Sequence, residues 1–134
     1  MKRPDNYHTL KGRLFGIFIL VSVLLVVGII HIFFGFAMLL DAIAIIPSLI
    51  YCIYTLAYGC LTLLFAYMLW VGRSLGWIGT VGVSLFIIIA DSLTAFNLLT
   101  ILGIPKLAAI GEIPFSILVI IYLIQHHVRS KYNF

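Results

Sequence analysis

The chain has 134 residues, 64% of them hydrophobic and 9% charged, with a net charge of +4 and a mean hydropathy of +1.26. A water-soluble domain carries about 25% charged residues to keep its surface wetted, so these figures exclude an ordinary soluble protein and point to a surface that faces lipid. The basic residues stand at the ends of apolar runs rather than in one patch, which argues for topology signalling and against nucleic acid as a partner.

Met1 to Arg13 is polar and basic, with Lys2, Arg3, Lys11 and Arg13. Leu14–Leu40 then runs without a charge, His31 being its one strongly polar residue. A membrane span needs about 20 residues, so this run is long enough to tilt or protrude. It is also too long for the apolar core of a cleavable signal peptide, and no small-x-small site follows it. Asp41 ends the run, and Pro47 suits the first turn of a second helix, Pro47–Val71, where its missing N–H costs nothing. Trp70 and Trp77 flank Gly72-Arg73-Ser74-Leu75-Gly76, as an interfacial aromatic belt flanks a tight turn.

The third predicted helix is Trp77–Leu102, with Gly103 as its C-cap and Pro105 as a restart. The fourth, Leu107–His126, reaches spanning length only with Glu112 and Pro114 inside it, and Pro114 should bend it; a re-entrant segment is the alternative. The tail, Gln125 to Phe134, reads as polar and solvated. Four spans place Lys2, Arg3, Lys11, Arg13, Arg73, Arg129 and Lys131 on one side and Lys106 alone on the other. That split predicts a multi-pass protein of the cell membrane with both termini cytoplasmic. A three-helix reading would put the basic tail outside. The expected fold is therefore all-α, one domain over residues 1–134, an integral-membrane bundle of four transmembrane helices. The related strings Ile46-Pro47-Ser48-Leu49 and Ile104-Pro105-Lys106-Leu107 both open the second helix of a hairpin, but a match that short in an Ile/Leu-rich chain carries no argument.

Helical phase gathers the few polar groups. Thr80, Ser84, Asp91 and Thr94 share one face of the third helix, Tyr51, Tyr54, Thr55, Tyr58 and Thr62 one face of the second, and Gly28, His31 and Gly35 one face of the first. Lipid is a poor partner for such groups, so these faces should point inward. At 1.5 Å per residue from the predicted outer ends, His31 and Tyr58 lie about 13 Å deep and Asp91 about 16 Å. His31, Tyr58 and Asp91 thus form a candidate intramembrane polar cluster. An ionised Asp at mid-membrane costs roughly 2.5–3.5 kcal/mol, so Asp91 should stay protonated or find a partner, and His31 is the basic side chain at its depth. Such a pair serves either as a static tie between helices or as a proton or cation relay. Glu112 is expected at headgroup level beside Lys106, in a surface pair of little energy.

No metal site, cofactor or catalytic residue is expected. The Glu-x-x-His of di-iron bundles is missing, His126 and His127 would point about 100° apart on a helix, and His31 alone does not establish haem ligation. There is no P-loop, dinucleotide fingerprint, Gly-x-Ser-x-Gly or Cys-x-x-Cys. Cys52 and Cys60, about 12 Å apart along one helix, are too distant for a disulfide with each other. Gly72, Gly76, Gly79 and Gly82 read as a close-packing seam rather than a binding loop.

Leu69-Trp70-Val71-Gly72-Arg73 followed by Gly76-Trp77, an early Arg3-Pro4, and a tail with Val128, Lys131 and Tyr132-Asn133-Phe134 give the chain a distinctive outline. In these features it resembles small four-helix integral membrane proteins common in archaea. The resemblance runs from end to end and implies a topology, not an activity or a site residue. Small multidrug transporters share the size, but the central Glu of their first helix is absent here. The function expected first is a non-catalytic small subunit, or assembly and stabilising partner, of a larger integral-membrane complex. Its expected partners are the lipid bilayer and other membrane subunits, not nucleic acid. The alternative is a small homo-oligomeric transporter or proton-coupled carrier using Asp91; a membrane enzyme or haem- or quinone-linked redox protein comes third.

Overall fold

The structure is a computed structural model. It describes the backbone of residues 6–42, 46–98 and 105–132, and side chains within 15–40, 49–98 and 105–132. The chain forms α1 (Asn6–Ala42), α2 (Ile46–Trp70), α3 (Ser74–Ala95), α4 (Lys106–Leu123) and a short α5 (His126–Arg129), closed by a 3₁₀ turn at Ser130–Tyr132. Four helices are long and apolar enough to cross a membrane: Phe15–Leu40, Leu49–Trp70, Ser74–Ala95 and Lys106–Leu123. In lipid every backbone N–H and C=O must be satisfied within the chain, and the helix does this locally. The protein is an all-α, multi-pass membrane bundle.

Chain neighbours pack against each other: α1 on α2, α2 on α3 and α3 on α4. One end of the bundle holds the start of α1, the α2–α3 turn and the end of α4 (the terminal end). The other holds the end of α1, the start of α2, the end of α3 and the start of α4 (the loop end). Buried positions on α1 fall at Ile17, Val21, Leu24, Gly28 and Gly35, the spacing of one helix face. Glycine lets α1 and α2 close tightly there. A Cβ on Gly59 would stand 2.9 Å from the carbonyl oxygen of Gly28 and 3.0 Å from the backbone nitrogen of Ile32.

Two helices end on the same device. After α2, Gly72 takes φ +79; Arg73 N donates to Met68 O at 2.9 Å and Gly72 N to Leu69 O at 3.0 Å. After α3, Asn97 takes φ 56; Leu98 N donates to Leu93 O at 2.9 Å and Asn97 N to Thr94 O at 3.1 Å. Both are Schellman caps, in which a left-handed residue turns the chain back onto its orphaned carbonyls. The first starts α3 at Ser74, a turn before the expected Trp77. The second stops it at Ala95, well short of the expected Leu102, because Asn97 takes the left-handed position that sequence reasoning assigned to Gly103. Gly103 itself lies outside the described residues.

The fourth span is a continuous helix with Pro114 inside it, not a re-entrant segment. It stops at Leu123, short of the expected His126. In the tail the polar residues Gln125, His126, Arg129, Ser130 and Lys131 are exposed, as expected, but the segment folds back onto the bundle. Val128 and Tyr132, one helical turn apart, are both fully buried and join the core cluster of Ile17, Val21, Leu24, Leu69 and Leu123. The Tyr132 hydroxyl donates to Leu69 O at 2.9 Å, and Trp77 Nε1 donates to Leu123 O at 2.9 Å. The last carbonyls of a helix lack partners within it; here two side chains supply them at the ends of α2 and α4. Burial pushes the Tyr132 phenol up to about 12. Cys52 and Cys60 are free thiols, the first buried and the second exposed.

Candidate functional site

The polar groups collect toward the loop end. On α1, one turn of helix places the His31 ring beneath the carbonyl of Val27, with Nδ1 2.8 Å from that oxygen. A carbonyl can only accept, so Nδ1 carries a hydrogen. The other ring nitrogen, Nε2, lies 3.2 Å from Glu112 Oε1 on α4. This is the one ion pair among the described residues, and it joins the first and last spans. From α2 the Tyr58 ring meets the imidazole edge to face, centroids 4.6 Å apart at 89°.

Glu112 therefore pairs with His31 and not with Lys106, and it is partly buried in the bundle: its side chain is 29% exposed, that of His31 19%. The signal for this was in the sequence. Ala109, Ser116, Val119 and Leu123 are the buried positions of α4, and Glu112 falls on that stripe at the same three- and four-residue spacing.

Asp91 is 1% exposed, and its Oδ2 is buried with no hydrogen-bond partner. With α3 ending at Ala95, Asp91 stands four residues, about 6 Å, from the helix end rather than the expected 16 Å. No ion pair or hydrogen bond joins it to His31. The two carboxyls and the imidazole are nevertheless within Coulombic reach of one another. Tyr51, Tyr54 and Tyr58 complete the surround from α2, each within reach of both carboxyls. The structure thus brings His31 against Tyr58, sets Asp91 nearby with no hydrogen bond or ion pair to either, and adds Glu112 and Tyr54. Tyr54 is a second buried group whose hydroxyl has no partner. Among the described residues no three His, Cys, Asp or Glu side chains close on one metal ion.

Toward the terminal end the polarity fades. Thr80 and Ser84, both buried on α3, border a void of about 10 Å³ shared with Tyr58 and Thr62, room for about one water. Thr80 spends its hydroxyl on Gly76 O at 2.8 Å. Below this level lies the apolar core sealed by Tyr132.

Two larger grooves run along lipid-facing flanks. One, of about 280 Å³, lies between α1 and α2 near the terminal end and includes Phe18, Val21, Tyr67 and Trp70. The other, of about 380 Å³, lies between α2 and α3 and is bordered by Tyr54, Ala57, Leu61, Gly82, Val83 and Phe86. A Cβ on Gly82 would meet nothing within 4 Å. No known protein family, curated protein or solved structure matches this chain.

Proposed function

We propose that the protein is a non-catalytic small subunit, or assembly and stabilising partner, of a larger integral-membrane complex. The observation that carries this reading is the groove at Gly82. Gly28, Gly35, Gly59, Gly76 and Gly79 are each pressed against a neighbouring part of the bundle, so their small size is used within the fold. Gly82 is exposed and faces open space, in a wholly apolar groove about 380 Å³ in volume. In membranes helices associate through small residues that let backbones approach, and this flank offers such a place to a helix of another chain. The test is purification in mild detergent of the parent and of Gly82→Leu. The reading expects co-purifying membrane subunits that Gly82→Leu loses while the bundle stays folded. A parent that always elutes alone contradicts it.

The same reading places the protein in the cell membrane with its terminal end in the cytoplasm. The exposed Arg73, Arg129 and Lys131 gather at that end, against Lys106 at the other. Reporter fusions at the two ends of the chain test this. The outline shared with small archaeal membrane proteins fits the topology and adds no activity.

A proton-coupled carrier is a second reading, favoured by the buried Asp91 with its unpartnered oxygen. Such a carrier would have to open the apolar seal at the terminal end in each cycle. Asp91→Asn should then abolish pH-dependent flux in proteoliposomes, and unchanged flux removes the reading.

A further inference from the structure

The contacts at the loop end fix how many protons it holds. The Val27 carbonyl fixes a hydrogen on His31 Nδ1. The contact between Nε2 and Glu112 Oε1 at 3.2 Å is a hydrogen bond only with a proton between them. The pair is then imidazolium with carboxylate, or imidazole with carboxylic acid, and both forms are neutral. Asp91 is left over. It is almost fully buried, and His31, the basic group facing it, already has a carboxyl partner. Ionised, Asp91 would give the cluster a net charge of minus one inside a low-dielectric bundle, with no counter-ion among the described residues.

Electroneutrality therefore requires two protons over three positions: Nε2, the Glu112 carboxyl and the Asp91 carboxyl. We propose that His31, Glu112 and Asp91 form one proton-binding site at the loop end, which holds two exchangeable protons when neutral and releases one of them to water. The partly exposed His31–Glu112 pair is the doorway and Asp91 the interior position. Every described titratable group that acts on Asp91 is consistent with this count. From α1 it is His31, from α4 Glu112, and from α2 the phenols Tyr51, Tyr54 and Tyr58, which add no positive charge.

Among the described residues nothing points to a larger occupant. The described ligating side chains do not converge on a metal ion, and neither of the two larger grooves is bordered by Asp91, Glu112 or His31. A proton is the ligand this arrangement accommodates. On release it leaves as hydronium at the loop end, and the site keeps one negative charge.

The test is infrared spectroscopy of the protein in lipid nanodiscs, following the C=O stretch of unionised carboxyl groups. The chain has four acidic residues, Asp5, Asp41, Asp91 and Glu112, so each band is assignable by single substitution. At neutral pH the parent should show an unionised carboxyl band that Asp91→Asn removes and that Asp5→Asn and Asp41→Asn leave in place. Asp91→Glu should keep a band at shifted frequency, which separates loss of the site from loss of the fold. Transfer to D₂O should shift the band, and His31→Phe should slow that shift at least tenfold. A parent with no such band, or a band unchanged in Asp91→Asn, overturns the proposal. A band that exchanges at the parent rate in His31→Phe removes His31 from the doorway. None of these readings depends on a partner complex, so failure here and failure of the subunit reading are separate results.

Discussion

The two ends of the bundle satisfy their polar groups by opposite means. At the terminal end neutral side-chain donors meet carbonyls at the helix ends: Tyr132 on Leu69, Trp77 on Leu123. The surroundings are mostly apolar, the buried Tyr122 hydroxyl having no hydrogen-bond partner among the described residues, and the tail folds in to fill the remaining space with Val128 and Tyr132. At the loop end the groups are titratable, more numerous and incompletely paired. His31 holds Glu112, while Asp91 Oδ2 and the Tyr54 hydroxyl have no partner. Neutral donors fixed on backbone carbonyls make a permanent seal. A carboxyl and an imidazole sharing a proton make an arrangement whose charge can change. The same chain thus builds a static end and a chemically responsive one, about a bundle length apart.

The sharpest contrast comes from emptying the seal. Tyr132→Ala removes a fully buried aromatic and leaves Leu69 O without its side-chain donor; we expect a loss of about 3–5 kcal/mol, read as thermal or denaturant unfolding in detergent. Next is Glu112→Leu, which strands Nε2 of a half-buried imidazole; about 1–3 kcal/mol should be lost. Glu112→Gln should lose much less, because an amide N–H can donate to Nε2. If Glu112→Leu costs more than Tyr132→Ala, the ends have been ranked the wrong way round.

Tyr132→Phe isolates one hydrogen bond and should cost about 1 kcal/mol. It also tests the seal by pH. Burial raises the Tyr132 phenol from 10.0 to about 12. A folded state that holds this proton more tightly than the unfolded one is favoured below pH 10. That advantage falls away as pH rises from 10 through 12. Ultraviolet titration should show one phenol ionising near 12 that Tyr132→Phe lacks. Smallest of all is Asp91→Asn. It replaces an unpaired buried carboxyl by a neutral group of the same shape, so stability should stay within about 0.5 kcal/mol or rise. A large loss would show that Asp91 is a tie and not a proton-holding group.

The spans were legible because bilayer thickness demands long apolar runs, and residues such as Leu14 to Leu40 offer no other reading. The inward faces of α1, α2 and α3 were legible too, from the phase of Gly28, Tyr58 and Asp91. What escaped has local causes. The end of α3 depends on which residue adopts positive φ, and Asn97 did so ahead of the glycine that usually would. The polar residues of the tail are exposed as their chemistry suggests, and what escaped is its docking. Its two buried residues, Val128 and Tyr132, matter only through a turn that brings them to one face. Glu112 was misplaced because proximity in sequence to Lys106 outweighed its place on the stripe from Ala109 to Leu123. A pairing between α1 and α4, 81 residues apart, has no local signature.

The two ends should differ in access to water. The most direct test is the rate at which a small water-soluble thiol reagent labels single cysteines at Glu112→Cys and Val128→Cys, with Cys52 and Cys60 replaced by serine, in sealed vesicles. The prediction is that Glu112→Cys reacts from the side opposite the tail and Val128→Cys is protected from both sides. Labelling of Val128→Cys as fast as that of an exposed Arg129→Cys control, with Glu112→Cys inert, would contradict it.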